Sequence, residues 1–146
     1  MEYASKKGIQ VYYSGGRADS IFNHFCGAAG KNFCVTPGGD ITSCYEVSTK
    51  KDHRSEIFFY GFIKEGKVHI LEDKRKNLIS RRIDNLEHCS DCFAKFNCAG
   101  DCLAKVLSSS GNMFDTSKNN RCLINRGILL NNLNLSLNQG ELNEKQ

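Results

Sequence analysis

The chain has 146 residues, about the size of one ordinary domain, and its aliphatic residues, nine Phe and five Tyr suffice to build a core. Its formal charge is +4 and its basic residues are scattered, so there is no basic stripe interleaved with stacking aromatics to hold a nucleic acid. A single Pro and the lack of any repeat or low-complexity tract argue against disorder, and no apolar run is long enough for a secretory signal or a membrane span.

Glu2 to Lys7 reads as the last turn of a helix, closed by Gly8, and Ile9 to Tyr13 as a strand rich in β-formers. A helix tail that runs straight into a strand is the unit of an α/β repeat, which predicts that the chain is the C-terminal piece of a longer protein. A genuine start at Met1, with a frayed first helix, is the alternative. Ser14-Gly15-Gly16 reads as a turn, with too few glycines for a phosphate cradle. Phe33 to Thr36 and Ile41 to Ser43 read as strands joined by the turn Pro37-Gly38-Gly39-Asp40. Ile57 to Ile63 and Val68 to Leu71 read as a second hairpin around Glu65-Gly66.

Asp73 is placed to cap a helix that runs to about Arg82 with Leu78 and Ile79 inward. Within it, Lys74-Arg75-Lys76 beside Glu72 and Asp73 reads as a solvated face. Residues 86 to 106 hold the dense cysteines, and Ser108 to Asn112 reads as a loop. A last helix, Cys122 to Leu137, carries Leu130, Leu133 and Leu137 at helical spacing, a stripe expected to pack in the core, before an Asn-rich end expected to fray.

Eight cysteines are the unusual feature. They fit a disulfide framework, zinc sites or iron–sulfur clusters. With no secretory signal a cytoplasmic address is expected, where thiols stay reduced and metal binding is favoured over disulfides. The spacing is Cys26, twelve residues, Gly39, four residues, Cys44, with Cys34 between. After 44 residues come Cys89, Cys92, Cys98 and Cys102 as C-x2-C-x5-C-x3-C, and then Cys122. Eight soft ligands without paired His suit two tetrathiolate sites of zinc or iron–sulfur type. Structural zinc usually takes two short knuckles, and only Cys89/Cys92 and Cys98/Cys102 qualify.

The order C-x12-G-x4-C, C-x2-C-x5-C-x3-C, C resembles the SPASM domain, the C-terminal auxiliary-cluster module of radical S-adenosylmethionine enzymes that modify peptides and proteins. The resemblance covers about residues 9 to 137. Cys26-Gly27-Ala28, Pro37-Gly38-Gly39-Asp40-Ile41, Cys89-Ser90-Asp91-Cys92-Phe93 and Cys98-Ala99-Gly100-Asp101-Cys102 share its texture. It implies two 4Fe-4S clusters: a first on Cys26, Cys44 and Cys102, and a second on Cys89, Cys92, Cys98 and Cys122. Cys102, although close in sequence to Cys98, thus serves the other cluster, as the last cysteine of a compact ferredoxin run does. Cys34 lies outside the pattern and is either a fourth ligand of the first cluster or a small buried hydrophobe.

On this resemblance residues 1–22 are the end of a partial (β/α) barrel and a connector, 23–137 the auxiliary-cluster domain and 138–146 a frayed tail. The fold class expected is α+β: small antiparallel hairpins with cysteine-rich loops and helices around two clusters. The C-x3-C-x2-C motif that binds S-adenosylmethionine and a third cluster is absent, because position 105 is Lys105, so no catalytic residue is expected in the chain itself. Tyr45 stands where sulfatase-maturing relatives carry an acidic base, which favours a ribosomal-peptide maturase as the parent. The implied partners are a peptide or protein substrate and the missing barrel, with neither nucleic acid nor membrane. A structural zinc module and an independent ferredoxin-like carrier are the alternatives. His24 and His88 lie near cysteines and suit hydrogen-bonding roles more than ligation, His53 and His69 look incidental, and Asp101 reads as a capping or cluster-tuning residue.

Overall fold

The computed structural model describes residues 2–9 and 11–143. A four-stranded antiparallel sheet of order β1-β2-β3-β4 forms its centre, from β1 (Cys34–Val35), β2 (Asp40–Thr42), β3 (Phe59–Lys64) and β4 (Lys67–Ile70). The two expected hairpins are therefore one sheet, because Ile41 of β2 pairs with Gly61 of β3. The turn at Glu65-Gly66 has both residues at positive φ, the geometry that matches the twist of a tight hairpin.

Helices α1 (Glu2–Lys6), α2 (Ser55–Phe58), α3 (Glu72–Ser80), α4 (Lys95–Cys98), α5 (Leu103–Ser110) and α6 (Arg121–Asn143) make the fold α+β, with α2 and α3 packed on β3. Two 3-10 turns, Ile83–Asn85 and Glu87–Cys89, lead into the cysteine-rich stretch. The main core gathers Ile41, Phe58, Leu78, Leu103, Leu107 and Met113, and a smaller cluster gathers Ile83, Leu86 and Cys89. Phe114 packs against both.

Several expectations change. Ile9 to Tyr13 forms no ladder among its described residues, and Ile9, Val11 and Tyr12 are exposed. A strand satisfies its backbone only against a neighbour, and no neighbouring strand lies beside this one among the described residues. Residues 55–58 turn helically because Arg54, held by Asp52, starts a turn: the Ser55 N–H donates to the Asp52 carbonyl at 2.9 Å and the Ile57 N–H to that of Arg54 at 3.1 Å. The capping role given to Asp73 falls to Leu71, which offers no side-chain cap, and Asp73 lies inside the first turn. Ser108 to Ser110 extend α5 instead of forming a loop. Their hydroxyls donate back to the carbonyls of Ala104 and Val106, which keeps serine compatible with a helix, and Gly111 at positive φ ends it.

Helix α6 runs past the expected end at Leu137 to Asn143, and residues 144–146 of the expected frayed tail lie outside the described residues. Its stripe of Leu130, Leu133 and Leu137 faces outward, 52%, 39% and 68% exposed, whereas Asn125 and Leu129 are 1% exposed. The face turned inward is fixed by what it meets. Gly15 and Gly16 lie so close to α6 that a Cβ on Gly16 would stand 3.0 Å from the Asn125 carbonyl oxygen and 3.2 Å from the Leu129 nitrogen. The Tyr13 hydroxyl donates to Asn125 Oδ1 at 2.8 Å and Asn132 Nδ2 donates to the Gly16 carbonyl at 3.4 Å. The glycine pair therefore serves close helix packing besides turning the chain. No helix among the described residues is long and apolar enough to cross a membrane.

Candidate metal centre

All eight cysteines are free thiols, and all but Cys34 gather in two groups. Cys89, Cys92, Cys98 and Cys122 line one cleft of about 270 Å³. Thr116, fully buried, joins two of them that are 33 positions apart: its Oγ1 is 3.4 Å from Cys89 Sγ, and its carbonyl accepts from Cys122 Sγ at 3.8 Å. One turn along α6, Asn125 Nδ2 donates to Cys98 Sγ at 3.3 Å. Burial pushes the Cys122 thiol up to about 11, with Cys89, Cys98 and Asp101 adding to the rise. Burial likewise raises Cys98, opposed by the Asn125 hydrogen bond and reinforced by Asp101 and Cys89.

Cys26, Cys44 and Cys102 form the other group. Cys44 belongs to the main core, and Cys102 packs against that same core and not against the smaller cluster that contains Cys89. Burial raises the Cys44 thiol, two backbone hydrogen bonds oppose it, and Cys102 and Cys26 add to it. Cys26 is exposed as a residue, yet partial desolvation of its thiol raises it, and Cys102 raises it further. Salt bridges tie the segments that follow Cys44 and Cys102, since Glu46 Oε1 receives Arg54 Nη1 at 2.6 Å and Lys105 Nζ at 3.0 Å. The Arg54 hydrogen bond, ahead of that of Lys105, holds the Glu46 carboxyl below its usual range. Its contribution to stability is thus full above the ordinary glutamate pKa near ~4.3 and is lost as pH falls through the lowered native value. Proteolysis of the 44–54 loop should accelerate in that acid window in the native chain, and the acceleration should weaken in Glu46→Gln, where only the Asp52–Arg54 pair remains to titrate.

The reason why Cys102 leaves the group of Cys98 lies in the link between them. Ala99, Gly100 and Asp101 all have positive φ, at 51°, 75° and 59°. Three left-handed residues in a row stop α4 and reverse the chain, so that Cys102 begins α5 on the other side of the link. Arg81, 2% exposed, fastens this link: Nη2 donates to the Gly100 carbonyl at 2.8 Å, Nη1 to that of Asp101 at 3.4 Å and Nε to that of Met113 at 2.7 Å. Burial lowers its pKa, while Cys89, Cys102, Asp101 and Cys26 oppose that fall. Thiols of both sets therefore lie near enough to act on this buried cation when they are ionised. Asp101, fully buried, is not a helix cap; its Oδ2 accepts from Asn119 Nδ2 at 2.8 Å and pairs with Arg121 Nε at 3.3 Å, tying the link to the start of α6. Gly100 approaches the Leu86 side chain, where an added Cβ would overlap Cδ1.

The remaining candidates lie apart. Cys34 sits half-buried in β1 opposite Thr42 and is not among the groups that shift Cys26 or Cys44. His24 Nε2 bonds the Ile79 carbonyl at 2.8 Å, His69 stacks on Phe62 with ring centroids 4.9 Å apart, and His53 lies 3.7 Å from Asp52. His88 borders the cleft of the second group, and Tyr45 is 70% exposed. Among the described residues no three His, Cys, Asp or Glu side chains converge as the ligands of a single metal ion do.

Arg81, Thr116, Asn119 and Asn125 were not singled out from sequence, because nothing in a sequence separates a buried Arg or Asn from a surface one. The donor set nevertheless fits sulfur-ligated iron: two groups of free thiols, with a buried cation beside both. Models of known protein families, curated proteins and solved structures all give no match to the chain.

Proposed function

We propose that the chain is an auxiliary iron–sulfur module of the SPASM kind, with one 4Fe-4S cluster on Cys26, Cys44 and Cys102 and another on Cys89, Cys92, Cys98 and Cys122. The observation that carries this reading is the partition of the thiols. Cys122 joins Cys89 through Thr116, and Cys102 joins the core of Cys44 although it follows Cys98 by four residues. A cleft lined by four free thiols offers the tetrathiolate ligand set that a 4Fe-4S core takes.

Bound clusters of this type supply one-electron transfer. The chain's own residues supply the rest: Thr116 and Asn125 orient sulfurs, the left-handed link sets the spacing of the two sites, and Arg81 offsets thiolate charge. Two fully ligated clusters, each of formal charge about −2, would bring the chain's +4 close to neutrality. In a parent enzyme the module would relay electrons and help hold a peptide or protein substrate, while a preceding barrel binds S-adenosylmethionine and a third cluster. Reduced thiols of this kind belong in a cytoplasmic setting. Anaerobic reconstitution should give about eight irons with matching sulfide and a broad visible absorbance that bleaches on reduction. Stoichiometric zinc with negligible sulfide would overturn the reading in favour of a structural zinc module.

A further inference from the structure

Arg17 differs from every other arginine around the cysteines. Its backbone is fixed, with its N–H donating to the Asn97 carbonyl at 3.5 Å and its own carbonyl accepting from Asn97 Nδ2 at 2.8 Å. Its guanidinium lies over the Phe22 ring at 3.5 Å and reaches to 5.4 Å from the Phe25 ring centroid. Asn97 precedes Cys98 and Phe25 precedes Cys26, so the backbone of Arg17 is tied to the neighbour of a thiol of one group while its guanidinium reaches the neighbour of a thiol of the other. Burial lowers the Arg17 pKa, and Cys98 and Cys26, once ionised, are the groups that oppose this most, ahead of Asp19.

What sets Arg17 apart is hydrogen bonding. Arg81 directs its three nitrogens to carbonyls. Arg17 Nε and Nη2 are shut off from solvent and find no hydrogen-bond partner among the described residues. Buried guanidinium donors without acceptors carry a desolvation cost that nothing offsets. Stacking on an aromatic face satisfies the cation but not its N–H groups. Donors that are dry and unmatched call for an anionic acceptor, and sulfur carrying negative charge is the acceptor that the neighbouring thiol groups would supply.

We propose that Arg17 is a hydrogen-bond donor to cluster sulfur at the seam between the two sites, and that its charge eases the reduction of both clusters; this rests on the cluster reading above. Reduction adds one negative charge to a cluster, and a nearby cation in a dry site favours the more negative state. N–H···S bonds act in the same direction, because they too strengthen as charge accumulates on sulfur. Lysine at this place would keep the charge but lose the planar fork, so it should restore part of the effect.

The test is a redox titration, followed by electron paramagnetic resonance, of the reconstituted chain and its Arg17→Gln and Arg17→Lys variants, with iron, sulfide and zinc counted in each. In Arg17→Gln the ratio of reduced to oxidised cluster at a fixed potential should fall about tenfold, equivalent to about 59 mV for a one-electron couple. Arg17→Lys should fall between it and the native chain. A folded Arg17→Gln protein that loses iron while Arg17→Lys retains it also supports the role. Unchanged potentials at full iron content would overturn it, leaving the cluster reading intact, as would equal loss of thermal stability and iron in both variants. Zinc without sulfide in the native chain would remove the cluster reading itself and this role with it.

Discussion

Replacing Cys122 by Ala should extinguish the same electron paramagnetic resonance signal as replacing Cys89, although the two are 33 positions apart, while Cys102→Ala should damage the signal that Cys26→Ala and Cys44→Ala damage. The expectation follows from the partition of the thiols: Thr116 contacts both Cys89 and Cys122, whereas Cys102 packs on the core that contains Cys44. The two sites differ in ligand set and exposure, with Cys26 exposed and Cys89 buried, so their signals and potentials should be separable. A local scheme, with Cys89, Cys92, Cys98 and Cys102 around one cluster, predicts the opposite grouping. It would be supported if Cys98→Ala and Cys102→Ala abolished one signal and left the other untouched. Cys34→Ala belongs in the same series. Loss or conversion of the first signal makes Cys34 a fourth ligand, and an unchanged spectrum with slightly lower stability makes it a strand residue, the role its position opposite Thr42 suits.

Local chemistry in the sequence foretold the sheet better than the helices. Glu65-Gly66 and Pro37 to Asp40 announce their turns, because positive φ and preset φ are properties of the residues themselves. The joining of β2 to β3 has no local cue, since it depends on Ile41 meeting Gly61 across the excursion of residues 43–58. The segment Ile9 to Tyr13 illustrates the converse: β-forming composition needs a partner strand, and composition cannot say whether one is there. In α6 the leucine stripe gives the helical period but not which face turns inward. That choice is made by Gly15 and Gly16 and by the cleft that Cys122 and Asn125 border, all outside the helix pattern or polar within it. The cysteine spacing picked out the candidate ligands. The arginines around it were invisible, because burial of a charged side chain is decided by long-range neighbours.

Gly100→Ala should be among the most damaging single changes outside the cysteines. Gly100 has φ of 75°, where a non-glycine residue costs about 1–2 kcal/mol, and an added Cβ would overlap Leu86 Cδ1. Leu86 is 1% exposed and packs with Ile83 and Cys89, so it has little room to yield, and such overpacking typically costs about 1–3 kcal/mol more. Together the penalties suggest a loss of about 2–5 kcal/mol, a large part of the stability of a domain this size. The two causes can be separated. Leu86→Ala alone should cost about 2–5 kcal/mol through the cavity it leaves, yet it removes the atom that the added Cβ would strike. The double variant should therefore be more stable than the sum of the single losses by about 1–3 kcal/mol, while the cost of the left-handed backbone remains. Strict additivity in chemical denaturation would mean that Leu86 does not confine the link. If coupling is found, Gly100→Ala should also broaden or shift both cluster signals at once. The carbonyl that Arg81 grips belongs to Gly100 itself, so displacing that backbone moves the one segment that joins Cys98 of one site to Cys102 of the other.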